Sequence, residues 1–321
     1  MTTDLRDTAP RTAIGPDLAA LPPTANLLTP VMRWAEEAPT RALASVRQAD
    51  GFVDVSAAAF YRRIRAVAKG LVASGVAPGD RVALMSHTRL EWMIVDYAIL
   101  AAGAVTVPVY ETSSPDQVKW ILTDSGAVLA VVETPAMGAT YDQVHDLATD
   151  CREAFVIDDG GLDELEARGE AVDDGVLDER IAGIVADGLA TIVYTSGTTG
   201  RPKGCMQTHR NLCTNVAQNL DAIESMLEED ETSLLFLPLA HTLTKLVALI
   251  CVEWGTKVAF ATDLAHLQEE LALAQPTIYF SPMWVWWVLP AGLAITVTLL
   301  GCTFVGVGLE PTFNRRWLRA S

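Results

Sequence analysis

Basic residues are scarce in this chain. Its 321 residues hold 23 Lys and Arg against 40 Asp and Glu, a formal charge of −17 at pH 7. Phosphate backbones select surfaces of the opposite sign, which argues against a nucleic-acid partner. Much of the acid is local: residues 142–187 carry fifteen acidic side chains and three basic ones, the mark of a solvated face. Cysteines are few. The five form no CxxC pair and leave an odd count, which fits reduced thiols in a cytosolic setting better than a disulfide framework. The amino terminus carries Asp4 and Asp7 and lacks the apolar core of a signal peptide. No repeat of solenoid period is evident. What the chain does have is apolar bulk: half of its residues, enough for one large domain or two modest ones.

Residues 1–28 are rich in Ala, Thr and Pro without periodicity and read as a disordered lead-in. From Ser56 the apolar positions Phe60, Ile64, Val67, Ala68 and Leu71 recur at helical spacing. Strands are expected at 81–85, 104–109, 128–132, 155–158, 190–194, 233–237 and 257–260. Helices are expected near 90–102, 115–124, 143–148, 208–226, 241–253 and 264–273. Strands alternating with helices predict an α/β fold of layered, mainly parallel sheets with helices on both faces. The acidic stretch 160–188 reads as a surface excursion between two subdomains.

The most informative run is 195–204, Thr-Ser-Gly-Thr-Thr-Gly-Arg-Pro-Lys-Gly. Gly197, Gly200 and Gly204 let the backbone approach an anion closely. The hydroxyls of Thr195, Ser196, Thr198 and Thr199 suit phosphate oxygens, and Lys203 supplies charge. With a strand before it and a helix expected from about Thr208, the run reads as a strand–loop–helix phosphate cradle. It is not a Walker A loop, since Gly-Lys-Ser/Thr is missing. A flexible linker is the bland alternative. Cys205, His209 and Cys213 fall at i, i+4 and i+8, so three metal ligands on one helix face is a second, weaker reading without a fourth ligand; no metal residue is assigned.

This run resembles the signature loop of the AMP-forming acyl-adenylating enzymes, which include acyl-CoA synthetases, peptide-synthetase adenylation domains and luciferases. His209 and Asn211 match the family's His-x-Asn pair, and Leu237-Pro-Leu-Ala-His241 its second core motif. Gly79–Met85, Glu91-Trp92, residues 101–110 and Thr112-Ser-Ser114 look like the long-chain fatty acid–CoA ligase branch. The runner-up is an adenylation domain of peptide synthesis.

The resemblance implies a two-step reaction: a fatty acid carboxylate and Mg-ATP give acyl-AMP and pyrophosphate, and CoA then displaces AMP. It implies that Thr195, Ser196, Gly197, Thr198, Thr199, Gly200 and Lys203 hold ATP, with Mg2+ sharing the charge, and that His241 stands beside the acyl carboxylate. A helix-start histidine satisfied by the backbone is the plain alternative for His241. Thr242-Leu-Thr-Lys245 stands where long-chain relatives carry an aromatic residue and a charged pair.

The likeness covers about 29–281, read as the amino-terminal AMP-binding lobe in two α/β subdomains. From 282 to 321 the pattern is lost, and no charged residue lies between Leu271 and Leu309. One reading is a shifted frame or truncated gene. Others are a membrane span over 283–309, which is long enough and flanked by Arg315, Arg316 and Arg319, or a buried core segment. The expectation is a ligase lobe inactive by itself. The alternative is a non-catalytic nucleotide-binding fragment with a peripheral or tail-mediated membrane contact.

Overall fold

Short β-branched runs and amphipathic helices assemble here into two sheets. The computed structural model describes residues 21–147, 150–195, 201–223, 225, 227–228, 230–278. Helix α1 (Thr29–Glu37) precedes the hairpin of β1 (Ala42–Gln48) and β2 (Gly51–Ser56). Then follow α2 (Ala57–Ala73), β3 (Arg81–Met85), α3 (Leu90–Ala101), β4 (Val105–Val109), α4 (Pro115–Ser125), β5 (Ala127–Val132), α5 (Pro135–Asp142) and β6 (Ala154–Val156). Next come α6 (Gly161–Gly169), α7 (Asp174–Ala182), β7 (Leu189–Thr195), β8 (Lys203–Thr208) and α8 (His209–Ile223). Last are β9 (Thr232–Leu235), α9 (Thr242–Trp254), β10 (Lys257–Phe260) and α10 (Leu267–Ala274).

The larger sheet runs β6-β5-β3-β4-β7-β8, parallel except for the β7–β8 pair. The smaller runs β2-β1-β10-β9, parallel except for β1–β2. The chain is thus α/β with mainly parallel sheets. In α2 the Ser56 hydroxyl caps the helix by accepting from Ala59 N–H, and Phe60, Ile64, Val67, Ala68 and Leu71 form its buried stripe. In α3 every residue but Glu91 is buried, as expected of a helix apolar all round. It touches β3 and β4 of the larger sheet and β1 of the smaller. Each large side chain it buries, such as Ile94 or Leu100, contributes about 1.5–3 kcal/mol. In α4, Ser114 and Gln117 form a capping box and Pro115 starts the first turn; Gly126 ends the helix in the left-handed region at φ 61°.

Three expectations need correction. The helix placed near 143–148 lies earlier: Thr134 caps α5, Pro135 opens it, and only a 3-10 turn spans His145–Leu147. The acidic stretch is not an excursion. It folds as α6 and α7, whose Leu162, Leu165, Leu177 and Ile181 are buried. Arg63–Glu166, Arg65–Asp178 and Lys69–Asp174 pair these helices with α2. Finally, a strand, β8, stands between the 195–204 run and α8.

At the amino end, Leu27 and Leu28 are buried, and Pro23 O accepts from Ala186 N–H at 2.7 Å. The first twenty residues of the lead-in and the whole 282–321 tail lie outside the described residues. Among the described residues no helix is long and apolar enough to cross a membrane.

Candidate active site

Because β3, β4, β5 and β7 run parallel, their carboxyl ends share one edge of the larger sheet, where α/β proteins place ligands. Thr106 pairs with Thr191. At this edge β7 hands over to the signature run. Ser196, Gly197, Thr198, Thr199 and Gly200 lie outside the described residues, but both flanks are fixed. Thr195 pairs with Lys203 across the hairpin and Tyr194 with Gly204.

The described flanks of the run therefore pair as an antiparallel hairpin, and the residues that follow it are a strand and not a helix. Thr208 pairs with Leu189, so α8 begins at the far end of β8, about 20 Å from the run. A helix field fades within its first turn, so the amino end of α8 adds nothing to anion binding here. The expected strand–loop–helix cradle is corrected to a hairpin. Of the run's candidate anion-binding residues, Thr195 and Lys203 fall within the described residues, paired across the two strands.

Those flanks are braced from α4. Trp120 Nε1–H donates to Pro202 O at 2.8 Å, and the Arg201 guanidinium stacks on the Trp120 ring at 4.8 Å. The Tyr194 hydroxyl donates to Asp124 Oδ2 at 2.7 Å, and burial with this bond pushes its pKa up. Lys203 is exposed and makes no ion pair among the described residues. Next to Tyr110, one carboxylate oxygen of Glu111 is buried with no hydrogen-bond partner among the described residues.

His241 stands at the start of α9. Its Nδ1 accepts from Leu243 N–H at 3.2 Å, which caps the helix and leaves Nε2 of the exposed ring as the donor. The segment before it is tied to the larger sheet by Thr88, which donates to Leu237 O at 2.6 Å and accepts from Leu239 N–H at 2.9 Å. Beside Thr88, Glu133 Oε2 accepts from Ser86 Oγ, His87 N–H and His87 Nδ1 at 2.6–3.0 Å. Burial would raise the Glu133 carboxyl, but these bonds outweigh it and hold it below the usual range.

One turn into α9, Lys245 Nζ meets Asp96 Oδ1 at 2.8 Å, both side chains 4% exposed. Nearby His209 is buried and accepts from Leu27 N–H; burial, with Lys245 adding to it, lowers its pKa to about 4. Cys205 lies on β8 while His209 and Cys213 lie on α8, so the three share no helix face. No group of three or more His, Cys, Asp and Glu placed to hold a metal occurs among the described residues. A cavity of about 520 Å³ sits at the opposite, amino edge of the sheet, lined by Gly79, Gly103, Val105, Arg180 and Leu189, away from the signature run.

Sequence inspection missed Thr88, Trp120, Glu133 and the Asp96–Lys245 pair. The last had a signal: one basic residue early in the apolar α9 and one acid deep in α3 require each other once buried.

The chain has known counterparts. The profile of a family described as AMP-binding enzyme matches residues 31–307. The long-chain-fatty-acid–CoA ligase FadD15 of Mycobacterium bovis is 41% identical over 239 residues, covering 73% of this chain and 40% of that protein. The peroxisomal long chain acyl-CoA synthetase 7 of Arabidopsis thaliana is 32% identical, covering 68% and 32%. The chain thus spans well under half the length of these relatives. Among solved structures, the N-terminal domain of FACL13 from Mycobacterium tuberculosis superposes with a TM-score of 0.69 at 23% identity, over 79% of this chain and 62% of that one. A long-chain-fatty-acid–CoA ligase (FadD1) from Archaeoglobus fulgidus also reaches 0.69, at 21% identity, over 79% and 51%. At such identities these two structures speak to fold alone.

Proposed function

Because this chain belongs to the AMP-binding enzyme family, we propose that it supplies the amino-terminal lobe, about residues 29–281, of an ATP-dependent long-chain fatty acid–CoA ligase. The observation that carries the reading is the signature hairpin, which sets Lys203, without an ion pair among the described residues, against Thr195 at the carboxyl edge of the larger sheet.

A fatty acid carboxylate oxygen attacks the α-phosphorus of ATP; the new bond is the mixed anhydride of acyl-AMP, and the bond to pyrophosphate breaks. Charge grows on the departing pyrophosphate. Lys203, the hydroxyls of Thr195, Ser196, Thr198 and Thr199, and the backbone at Gly197 and Gly200 stabilise it by charge and positioning. Mg2+ bound with the triphosphate would supply further positive charge there, and the Glu111 oxygen at this edge, without a hydrogen-bond partner among the described residues, would be an acceptor suited to it. His241 presents Nε2–H as a donor for the carboxylate and then the adenylate. In the second step the CoA thiol attacks the acyl carbon and AMP leaves. That step belongs to the whole protein, and these 321 residues by themselves are proposed to bind nucleotide without forming thioester.

Calorimetric titration with Mg-ATP tests the reading. Lys203→Ala removes a charge-assisted contact and should weaken binding about 10- to 100-fold. No binding by the parent chain, or equal binding by the variant, overturns the assignment. ATP-dependent palmitoyl-CoA formation by the 321-residue chain would overturn the claim that it binds without completing the reaction.

A further inference from the structure

The segment bearing His241 is gripped from both sides by one unit of the opposite sheet. Upstream, a single hydroxyl, that of Thr88, satisfies Leu237 O and Leu239 N–H. This locks the peptides around Pro238, whose carbonyl accepts from His241 N–H at 3.0 Å. Downstream, Lys245 N–H donates to His241 O at 3.0 Å, and Lys245 Nζ is anchored to Asp96 in a dry pair. Thr88 and Asp96 are eight residues apart along the β3–α3 unit; Leu237 and Lys245 are eight apart along the segment from β9 into α9, with His241 midway.

We infer that Thr88 and Asp96 are positioning residues that set where the His241 ring stands relative to Thr195 and Lys203. The β3–α3 unit belongs to the sheet that carries the signature hairpin on β7, whereas His241 follows β9 of the other sheet. The two halves of the site therefore come from different sheets, and no local rule of chain geometry holds them in register. The Thr88 and Asp96 grips do. Their effect reaches the ring through the backbone: His241 has the extended φ −87°, ψ 132° that lets its own Nδ1 receive Leu243 N–H. A shift at Leu237–Leu239 spoils that bond and releases the ring from its Nε2–H tautomer. The catalytic meaning rests on the role proposed for His241 above; the geometry does not.

The test uses the full 321-residue chain labelled with 15N-histidine, with His241 assigned by its loss in His241→Gln. In the parent, His241 shows the fixed Nε2–H tautomer. Thr88→Val raises the other tautomer's share about fivefold, the worth of one cap hydrogen bond, and Thr88→Ser restores the parent pattern. Tyr141→Phe, which deletes the buried 3.1 Å bond from Tyr141 OH to Cys151 O at the far edge, serves as a control for general loss of a buried hydrogen bond and leaves His241 unchanged. An unaltered His241 in Thr88→Val, no recovery in Thr88→Ser, or the same change in Tyr141→Phe overturns the inference. Should Thr88→Val not fold, amide exchange at Leu239 in the parent decides: protection supports the grip and fast exchange refutes it. Mg-ATP titration is independent of all these readouts, so the proposed function and the positioning role can fail separately.

Discussion

Gly204 shows how tightly the signature run is specified once it closes a hairpin. A Cβ there would stand 2.7 Å from Ile192 Cγ2 and 3.2 Å from the Tyr194 ring, which itself is tied to Asp124. Gly204→Ala should cost about 1–3 kcal/mol by overpacking, read as a lowered urea midpoint with the slope unchanged. Lys203, one residue away, behaves oppositely. It is exposed and makes no ion pair among the described residues, so its removal should move stability by no more than about 0.5 kcal/mol while weakening nucleotide binding. Neighbouring residues thus divide the work, one shaping the hairpin and the other charging it.

The acidic helices α6 and α7 raise the question of what holds a highly charged segment in place. Their ion pairs to α2 are partly solvent-exposed, and such pairs are worth about 0.2–1 kcal/mol each. Leu165 is fully buried, and the backbone of α6 runs so close to α2 that a Cβ on Gly70 would fall 2.1 Å from Leu165 O. Packing dominates. Leu165→Ala should therefore cost about 2–5 kcal/mol against less than about 1 kcal/mol for Glu166→Ala, compared by thermal unfolding in parallel. Salt should weaken the contribution of Glu166 and leave that of Leu165 intact.

Across the molecule, α3 and its flanks join the two sheets: apolar packing on β1, β3 and β4, the Thr88 grip, and the Asp96–Lys245 pair. His209 lies close to this junction, and burial lowers its pKa from 6.5 to about 4. As pH falls, the unfolded chain takes up this proton first, near pH 6.5. The folded state resists until about pH 4. Its contribution is therefore fully present above the unfolded value and lost between roughly pH 6.5 and 4, an amount of at most about 3 kcal/mol. His209→Asn, which keeps an acceptor for Leu27 N–H, should remove this share of the acid sensitivity. The check is the difference between parent and variant urea midpoints at pH 7.5 and pH 4.5; a constant difference would refute it.

The elements most readable from the chain are those whose periodicity is local. Strands β3 and β10 fall on the expected 81–85 and 257–260, and the stripe of α2 is the expected one, because burial on one face imprints spacing on adjacent residues. The signature run and His241 were legible only as residue types at fixed offsets, and the roles given to them are the proposal made above. Three things were not legible. β8 (Lys-Gly-Cys-Met-Gln-Thr) has no apolar alternation and is a strand only because β7 supplies its hydrogen-bond partners; that turned a presumed helix cradle into a hairpin. In α6 and α7 the acids mask four buried apolar side chains. The grips on His241 join residues 149 and 151 positions apart, through Thr88 and Asp96, and nothing in either stretch names the other. Chemical identity and helical or strand period are properties of neighbours along the chain. Which strand pairs with which, and which buried charge meets which, follow only from packing the two sheets together, where an unpaired group would carry its full desolvation cost.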